Sequence, residues 1–445
     1  MIERVIKRDG SVAPFDKSKI VFAVLRAAVA VGGRNRELAE RIADKVVAYL
    51  EEEGRGGPEV DRSVEEIQDA VEKILIEEGH ARTAKAYIVY RYEHALKRKG
   101  RDSLTYSSEN IPYRKLWETL SWAVDNRCCT LAQMRDYVSE GRFDELVERS
   151  EAFYEREIAA PISDIRDRLD KLRVIIMAGP SSSGKTTSTR KIAEALESAG
   201  KRMVPIEVDN YFFDLHTHPT DSYGDYDFET PQALDMELLN RNLADLVAGK
   251  TVEIPSYNFK TGRREGISEQ LTLGPDDILL IDSLHGLYEP MTRSVPEAKK
   301  YKIYIETLAQ IKDDEGLFVR WTDIRMMRRM VRDMQFRNYN PRETLLHWYL
   351  VRRAELRHII SRINTADIVV NSFLPSELPI MKRRLAHLFP DFIAEVANDP
   401  NRRDAYDRAV RINAMLSQVP NIDAEDAIPP GSLLREFIGG SIYVK

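Results

Sequence analysis

The chain has 445 residues, 43% hydrophobic and 31% charged, with a formal net charge of −6. That composition can pack a core and excludes long disorder, and the length suggests two or three domains. The acidic balance argues against a large nucleic-acid or anionic-membrane surface, though not against a local basic site for a phosphorylated ligand. The N-terminal residues 1–8 have no apolar signal core and no run of 18 apolar residues occurs, so a soluble protein of the cytosol is expected. Cys128 and Cys129 are adjacent; neighbours rarely form a strain-free disulfide, and two free thiols suit a reducing compartment.

Residues 1–98 read as one mostly helical domain. Val5–Val12 predicts a short hairpin turning at Asp9-Gly10. Asp16 is placed to cap a helix over Lys17–Val31 that ends at Gly32-Gly33. Helices over Glu37–Glu53 and Ser63–Glu78 follow, the second opened by Ser63 and Glu66 as a capping box, and a fourth runs over Ala81–Lys99 to break at Gly100. Residues 99–170 predict a helical connector, with Trp117, Leu120, Trp122 and Val124 as packing residues. From residue 171 to 372 buried strands alternate with helices: strands over Val174–Met177, Met203–Val208, Ile278–Ile281, Lys302–Ile305 and Ile368–Val370, and a helix over Lys185–Ser198. This is the pattern of an α/β domain with a doubly wound parallel sheet, whose ligands gather at the carboxyl ends of the strands. Residues 373–445 predict a helical extension with a loop at Pro429-Pro430-Gly431.

The run Gly179-Pro180-Ser181-Ser182-Ser183-Gly184-Lys185-Thr186, followed by Thr187, leaves a predicted strand and enters a predicted helix. Gly179 and Gly184 let the backbone wrap so that amides point at phosphate oxygens, and the helix adds its positive end. Lys185 can reach the β- and γ-phosphates and the Thr186 hydroxyl can hold Mg²⁺. ATP and Mg²⁺ are therefore the expected ligands of a P-loop NTPase fold. Asp209, ending the second strand, can take a proton from an acceptor hydroxyl, and Asp282, ending the third, stands where a carboxylate serves the metal. Arg325, Arg328, Arg329 and Arg332 share one helical face and read as a lid that neutralises charge on a moving phosphate. His216 and His218, with Asp214 and Asp221, read as a mobile substrate-side segment rather than a metal site. His285 is placed to orient substrate, and His347 reads as structural.

These residues resemble the uridine kinase and phosphoribulokinase family over about residues 171–372. The resemblance rests on Gly179–Thr187, Val208–Phe212, Tyr226–Glu229, Pro255–Phe259, Leu280–Leu287 and Arg328–Asp333. The tail Ile428–Ser441 resembles a longer bacterial uridine kinase-like subgroup. The resemblance implies Asp209 as catalytic base, working with Lys185, Arg329 and Arg332. It further implies nucleotide binding by Gly179, Ser181, Ser182, Ser183, Gly184, Lys185, Thr186, Thr187 and Arg337, with Thr186 and Asp282 at the metal. Substrate contacts are implied for Tyr211, Glu229, Tyr257, Arg264, His285, Tyr339 and His347. Gly262 stands where the family's pyrimidine-reading histidine belongs, Glu229 replaces the ribose-holding aspartate, Asn338 and Tyr339 replace the lid glycine and second arginine, and Asp282 replaces a glutamate. Catalysis is expected to be kept and base recognition altered.

Val5–Gly10, Phe15–Ile20 and Ala84–Arg91 resemble the ATP-cone, a nucleotide-sensing domain, over about residues 3–95. This implies a second ATP or dATP site at Val5, Lys7, Arg8 and Lys19, with three cations to hold a triphosphate; a dimerisation module that has lost its ligand is the alternative. A homo-oligomer is expected. The leading reading is an ATP-dependent kinase acting on a hydroxyl of a small molecule, a nucleoside such as uridine or cytidine or a sugar-like acceptor, governed by nucleotide at the N-terminal domain. The alternative is a nucleotide-sensing regulator that transfers nothing; Asp209 and the arginines favour the first, because binding alone needs neither. A nucleic-acid NTPase is disfavoured by the charge and by the lack of a basic-aromatic surface.

Overall fold

The computed structural model describes residues 2, 4–6, 12–29, 31, 35–52, 61–88, 110–218, 230–337, 339–399, 402–423 and 425–443. The chain divides into two compact units, residues 1–106 and 107–445.

In the first unit β1 (Arg4–Ile6) pairs antiparallel with β2 (Val12–Pro14), Ile6 opposite Val12. The expected turn, with Lys7, Arg8 and Asp9-Gly10, lies outside the described residues. A two-residue strand, β3 (Arg62–Ser63), joins β1 in parallel, a pairing too short to leave a sequence pattern. Helices α1 (Lys17–Val29), α2 (Arg36–Leu50) and α3 (Val64–Glu77) close a core of Ile20, Val24, Ile42, Val46, Val71 and Leu75. Asp16 accepts from the Ser18 amide at 2.9 Å. The capping box is reciprocal: the Glu66 amide donates to Ser63 Oγ at 3.2 Å and the Ser63 amide to Glu66 Oε2 at 2.8 Å. Residues 81–88 are helical; the expected stops at Gly32-Gly33 and Gly100 lie outside the described residues.

The second unit begins with α4 (Tyr113–Asp125), α5 (Leu131–Ser139) and α6 (Phe143–Arg166). Its strands are β4 (Val174–Ala178), β5 (Arg202–Ile206), β6 (Val252–Asn258), β7 (Arg263–Leu271), β8 (Asp277–Ser283), β9 (Lys300–Glu306) and β10 (Ile368–Asn371). Five of them form a parallel sheet in the order β10-β9-β4-β8-β5. Side chains alternate across it. Ile175, Met177, Leu280 and Ile303 enter one core, while Val174, Ile176, Leu279 and Ile281 enter the other. This is the doubly wound α/β fold, with the glycine-rich loop leaving the central strand toward α7 (Lys185–Glu197).

The segments on either side of the α/β region are built into it. Leu131, Met134, Tyr154 and Ile158 from the expected connector, and Leu433 and Phe437 from the tail, share the core of Ile175 and Met177. Trp117 and Val124, read as packing residues, are exposed, whereas Trp122 stacks on Phe153 at 4.4 Å. The antiparallel pair β6–β7 was not anticipated: β7 is a largely exposed strand carrying mixed charges and lacks an apolar run. Among the described residues no helix is long and apolar enough to cross a membrane.

Candidate active site

The glycine-rich loop is tightly enclosed. A Cβ on Gly179 would fall 2.3 Å from the Ile305 carbonyl oxygen, and Gly184, at φ +87°, lies against Leu433. Ser182 holds φ +59°, a conformation costly for a residue with a side chain and concentrated at functional sites. The buried hydroxyls of Ser182, Ser183 and Thr187 have no protein partner, and the Lys185 ammonium donates to the Pro180 carbonyl at 3.2 Å. Unpartnered hydroxyls beside the amide-rich start of α7 fit a polyphosphate.

Asp282 lies within β8, and Ser283 ends the strand. Burial pushes its carboxyl up to about 6, with Lys185 opposing and Glu436 and Asp209 adding to the rise. A cation in front of Asp282 would relieve that penalty. Among the described residues no group of three or more metal-ligating side chains occurs. Mg²⁺ is ordinarily held by one or two side chains together with phosphate and water rather than by an all-protein cage. Thr186, which is exposed, and Asp282, which is partly buried, fit that role.

Asp209 lies three residues past the end of its strand rather than at it: β5 ends at Ile206 and Val208–Tyr211 form a 3-10 turn. The residue is exposed. Loss of water raises its pKa, the Lys185 charge opposes this, Glu207 adds to it and Arg337 opposes it. Lys185 and Arg337 thus act on the same carboxylate. The turn is braced from the β6–β7 hairpin: Asn210 Oδ1 accepts from the Tyr257 amide at 3.1 Å. The Arg264 guanidinium donates to Asp235 at 3.0 Å and to the Tyr211 and Phe212 carbonyls at 3.0 and 3.1 Å. Tyr211 is fully buried and its hydroxyl accepts from Asn242 at 3.0 Å. Tyr211 and Arg264, expected to touch substrate, are therefore engaged in holding the Asp209 turn. Tyr257 lies 5.6 Å from Phe212 and 5.0 Å from exposed Phe259, ring to ring. Its buried hydroxyl has no partner.

The arginine helix, Trp321–Phe336, does not act as one face. Arg325 and Arg328 are fully buried. Arg325 pairs with Glu306 and Glu355, each at 2.6 Å, and donates to the Ser181 carbonyl at 3.1 Å. Arg328 pairs with Glu377 at 2.6 Å and donates to the Ser372 carbonyl at 2.7 Å. The lid reading is thus corrected for these two: they tie the helix to the back of the phosphate loop. Arg329, Arg332 and Arg337 instead converge on buried Asp333, at 3.4, 2.9 and 3.5 Å, and Arg329 reaches Ser181 Oγ at 3.4 Å.

His285 is buried with both ring nitrogens unpartnered, edge-on to His358 at 6.1 Å. Burial, aided by His358, pulls its pKa down to about 3, so the ring is neutral. His347 is half-exposed and lies 3.9 Å from Glu343, and Tyr339 is exposed. Glu229 and Asn338 lie outside the described residues. In the other unit Val5 sits in β1 and Lys19 is exposed at the start of α1. Glu436, which accepts from the Thr187 amide at 2.9 Å, was not anticipated; it lies 249 residues away in sequence and no local signal marks it.

A parallel sheet with this phosphate loop on its central strand, one carboxylate near the end of β8, another in the turn after β5 and arginines beside the loop has the parts of a P-loop phosphotransferase. Residues 174–378 match the Phosphoribulokinase / Uridine kinase family, and residues 3–96 match the ATP cone domain. The chain is 31% identical over 204 residues to a uridine kinase of Macrococcus caseolyticus, covering 45% of this chain and 89% of that one. It is 30% identical over 199 residues to uridine-cytidine kinase B of Dictyostelium discoideum (44% and 73%) and, over the same length, to a uridine kinase of Staphylococcus aureus strain JH9 (44% and 86%). The chain belongs to the phosphoribulokinase/uridine kinase family and carries an ATP-cone domain ahead of its kinase fold.

Proposed function

We propose that this chain transfers the γ-phosphoryl group of ATP to a hydroxyl of a nucleoside or a close nucleoside analogue, with Asp209 as the base. The observation that carries this is Asp209 itself. It stands exposed in the turn after β5, has a raised proton affinity and feels the charges of Lys185 and Arg337. In the reaction Asp209 takes the acceptor's hydroxyl proton as the new O–P bond forms, and ADP departs with the electrons of the broken bond. Lys185, Arg329 and Arg332 stabilise charge on the transferred group, which is where most of the acceleration of phosphoryl transfer arises. Mg²⁺, held from the side of Thr186 and Asp282, would neutralise charge on the phosphates.

Three features support a nucleoside-like acceptor. Exposed Phe259, packed edge-on to buried Phe212 and Tyr257, offers aromatic surface beside the Asp209 turn, suited to a flat ring. The unpartnered Tyr257 hydroxyl is available to a polar group on that ring. The relatives are uridine kinases. Gly262 takes φ +66°, and a Cβ there would lie 2.8 Å from Leu215, so the family's histidine has no room at this position. Discrimination among bases is weakened accordingly. Glu229, Tyr339 and His347 are assigned to the acceptor side. Val5, Lys7, Arg8 and Lys19 are assigned to a second nucleotide, ATP or dATP, that regulates transfer.

The test is ATP consumption by the purified chain with Mg²⁺ over uridine, cytidine, purine nucleosides, free sugars and sugar phosphates. Nucleosides should support turnover, with less than tenfold preference between pyrimidine and purine bases. Turnover confined to sugars or sugar phosphates would overturn the acceptor class, and ATP binding without any acceptor-dependent turnover would overturn the kinase reading.

A further inference from the structure

The helical turn Arg435–Ile438 is seated on the phosphate loop. Ser432 hydrogen-bonds Glu151, Leu433 packs against Gly184, and Arg435 donates to the Ile428 carbonyl at 2.6 Å. Phe437 lies beneath the Arg328 guanidinium, 5.1 Å from ring to cation. These contacts present the Glu436 carboxylate, nine-tenths buried, to the amide of Thr187 at 2.9 Å. Thr187 is the third residue of α7, so its amide is one of the donors that a helix start leaves without a partner in the helix. In a phosphate loop such amides cradle the inner phosphates of the nucleotide. A carboxylate oxygen and a phosphate oxygen cannot both take one N–H, and two anions in one pocket repel.

We propose that Glu436 is a built-in competitor for the nucleotide donor: its carboxylate holds the Thr187 amide until an inner phosphate takes it. Glu436 therefore sets the affinity for ATP, and the turn around it shifts when nucleotide enters. This goes beyond the assignment of the acceptor and depends only on the phosphate loop binding nucleotide.

The test uses the full chain and binding alone, so its failure is distinct from failure of the acceptor assignment. Calorimetry gives the Kd for a non-hydrolysable ATP analogue and for adenosine in the parent chain and in Glu436→Gln and Glu436→Ala. The variants should bind the analogue tighter by on the order of fivefold, the gap between a charged and a neutral acceptor for one N–H. Adenosine, which has no phosphate, should bind all three alike. Unchanged or weaker analogue binding would overturn the proposal and leave Glu436 a helix cap. A second readout needs no substitution: hydrogen exchange over residues 433–439 should rise with the analogue and stay constant with adenosine. Exchange that does not rise with the analogue would also overturn it.

Discussion

Arg328 separates a structural arginine from a catalytic one. Arg328→Met removes a fully buried cation and strands Glu377, which now receives two bonds from it at 2.6 and 2.8 Å and is itself wholly buried. Breaking a buried pair by deleting one partner costs about 3–5 kcal/mol. The unit spans residues 107–445. At about 2.1 cal/mol/K of unfolding entropy per residue, that cost lowers Tm by about 4–7 °C. Replacing both partners, as Arg328→Met with Glu377→Met, should recover most of the loss, because an apolar pair of similar volume carries no stranded charge. Differential scanning fluorimetry or calorimetry on the three proteins measures this. If Arg328→Met melts like the parent chain while kcat collapses, Arg328 belongs to the lid after all and the structural assignment is wrong.

Asp282→Asn tests the carboxyl held at about 6 against an ordinary value of 3.8. A raised carboxyl pKa means that the ionised form penalises the fold: the penalty is absent below about pH 4 and complete above about pH 6. In metal-free buffer the variant should gain thermal stability over the parent at pH 7.5 and lose that advantage at pH 4; an equal gain at both would refute the assignment. Gly262→Ala forces a side chain into positive φ against Leu215 and should destabilise by more than about 1 kcal/mol in urea melts; a neutral result would remove the steric argument about base recognition. Arg264→Met withdraws the brace from the Asp209 turn. It should lower kcat while leaving the Kd for an ATP analogue near that of the parent, and a change confined to acceptor KM would return Arg264 to the substrate.

Much of the fold was legible because its signals are local. Apolar runs gave the buried parallel strands, each within a few residues of its observed bounds, and the Ser63–Glu66 pattern gave a cap that the structure reproduces. The phosphate loop needs one contiguous stretch and an adjoining strand and helix, all visible in the sequence. The arginine helix shows where local reading stops. Helical spacing places Arg325, Arg328, Arg329 and Arg332 close together on one surface. Which of them turn inward depends on Glu306, Glu355 and Glu377, which come from β9 and from helices further along the chain. Asp209 was displaced from its strand end by a 3-10 turn held by Asn210 and Arg264, contacts that only the folded hairpin supplies. The sequence shows residues 373–445 only as a helical extension for the same reason: Glu436 meets Thr187 across 249 residues of chain.

The central claim is that Asp209 takes the acceptor's proton. Asp209→Asn, assayed for nucleoside-dependent ATP turnover beside calorimetric binding of an ATP analogue, tests it most directly. Turnover should fall by about 10²–10⁴-fold, the usual worth of a general base, with analogue binding close to that of the parent chain. A variant that binds the analogue normally and still turns over nucleoside at near-parental rate would contradict the claim.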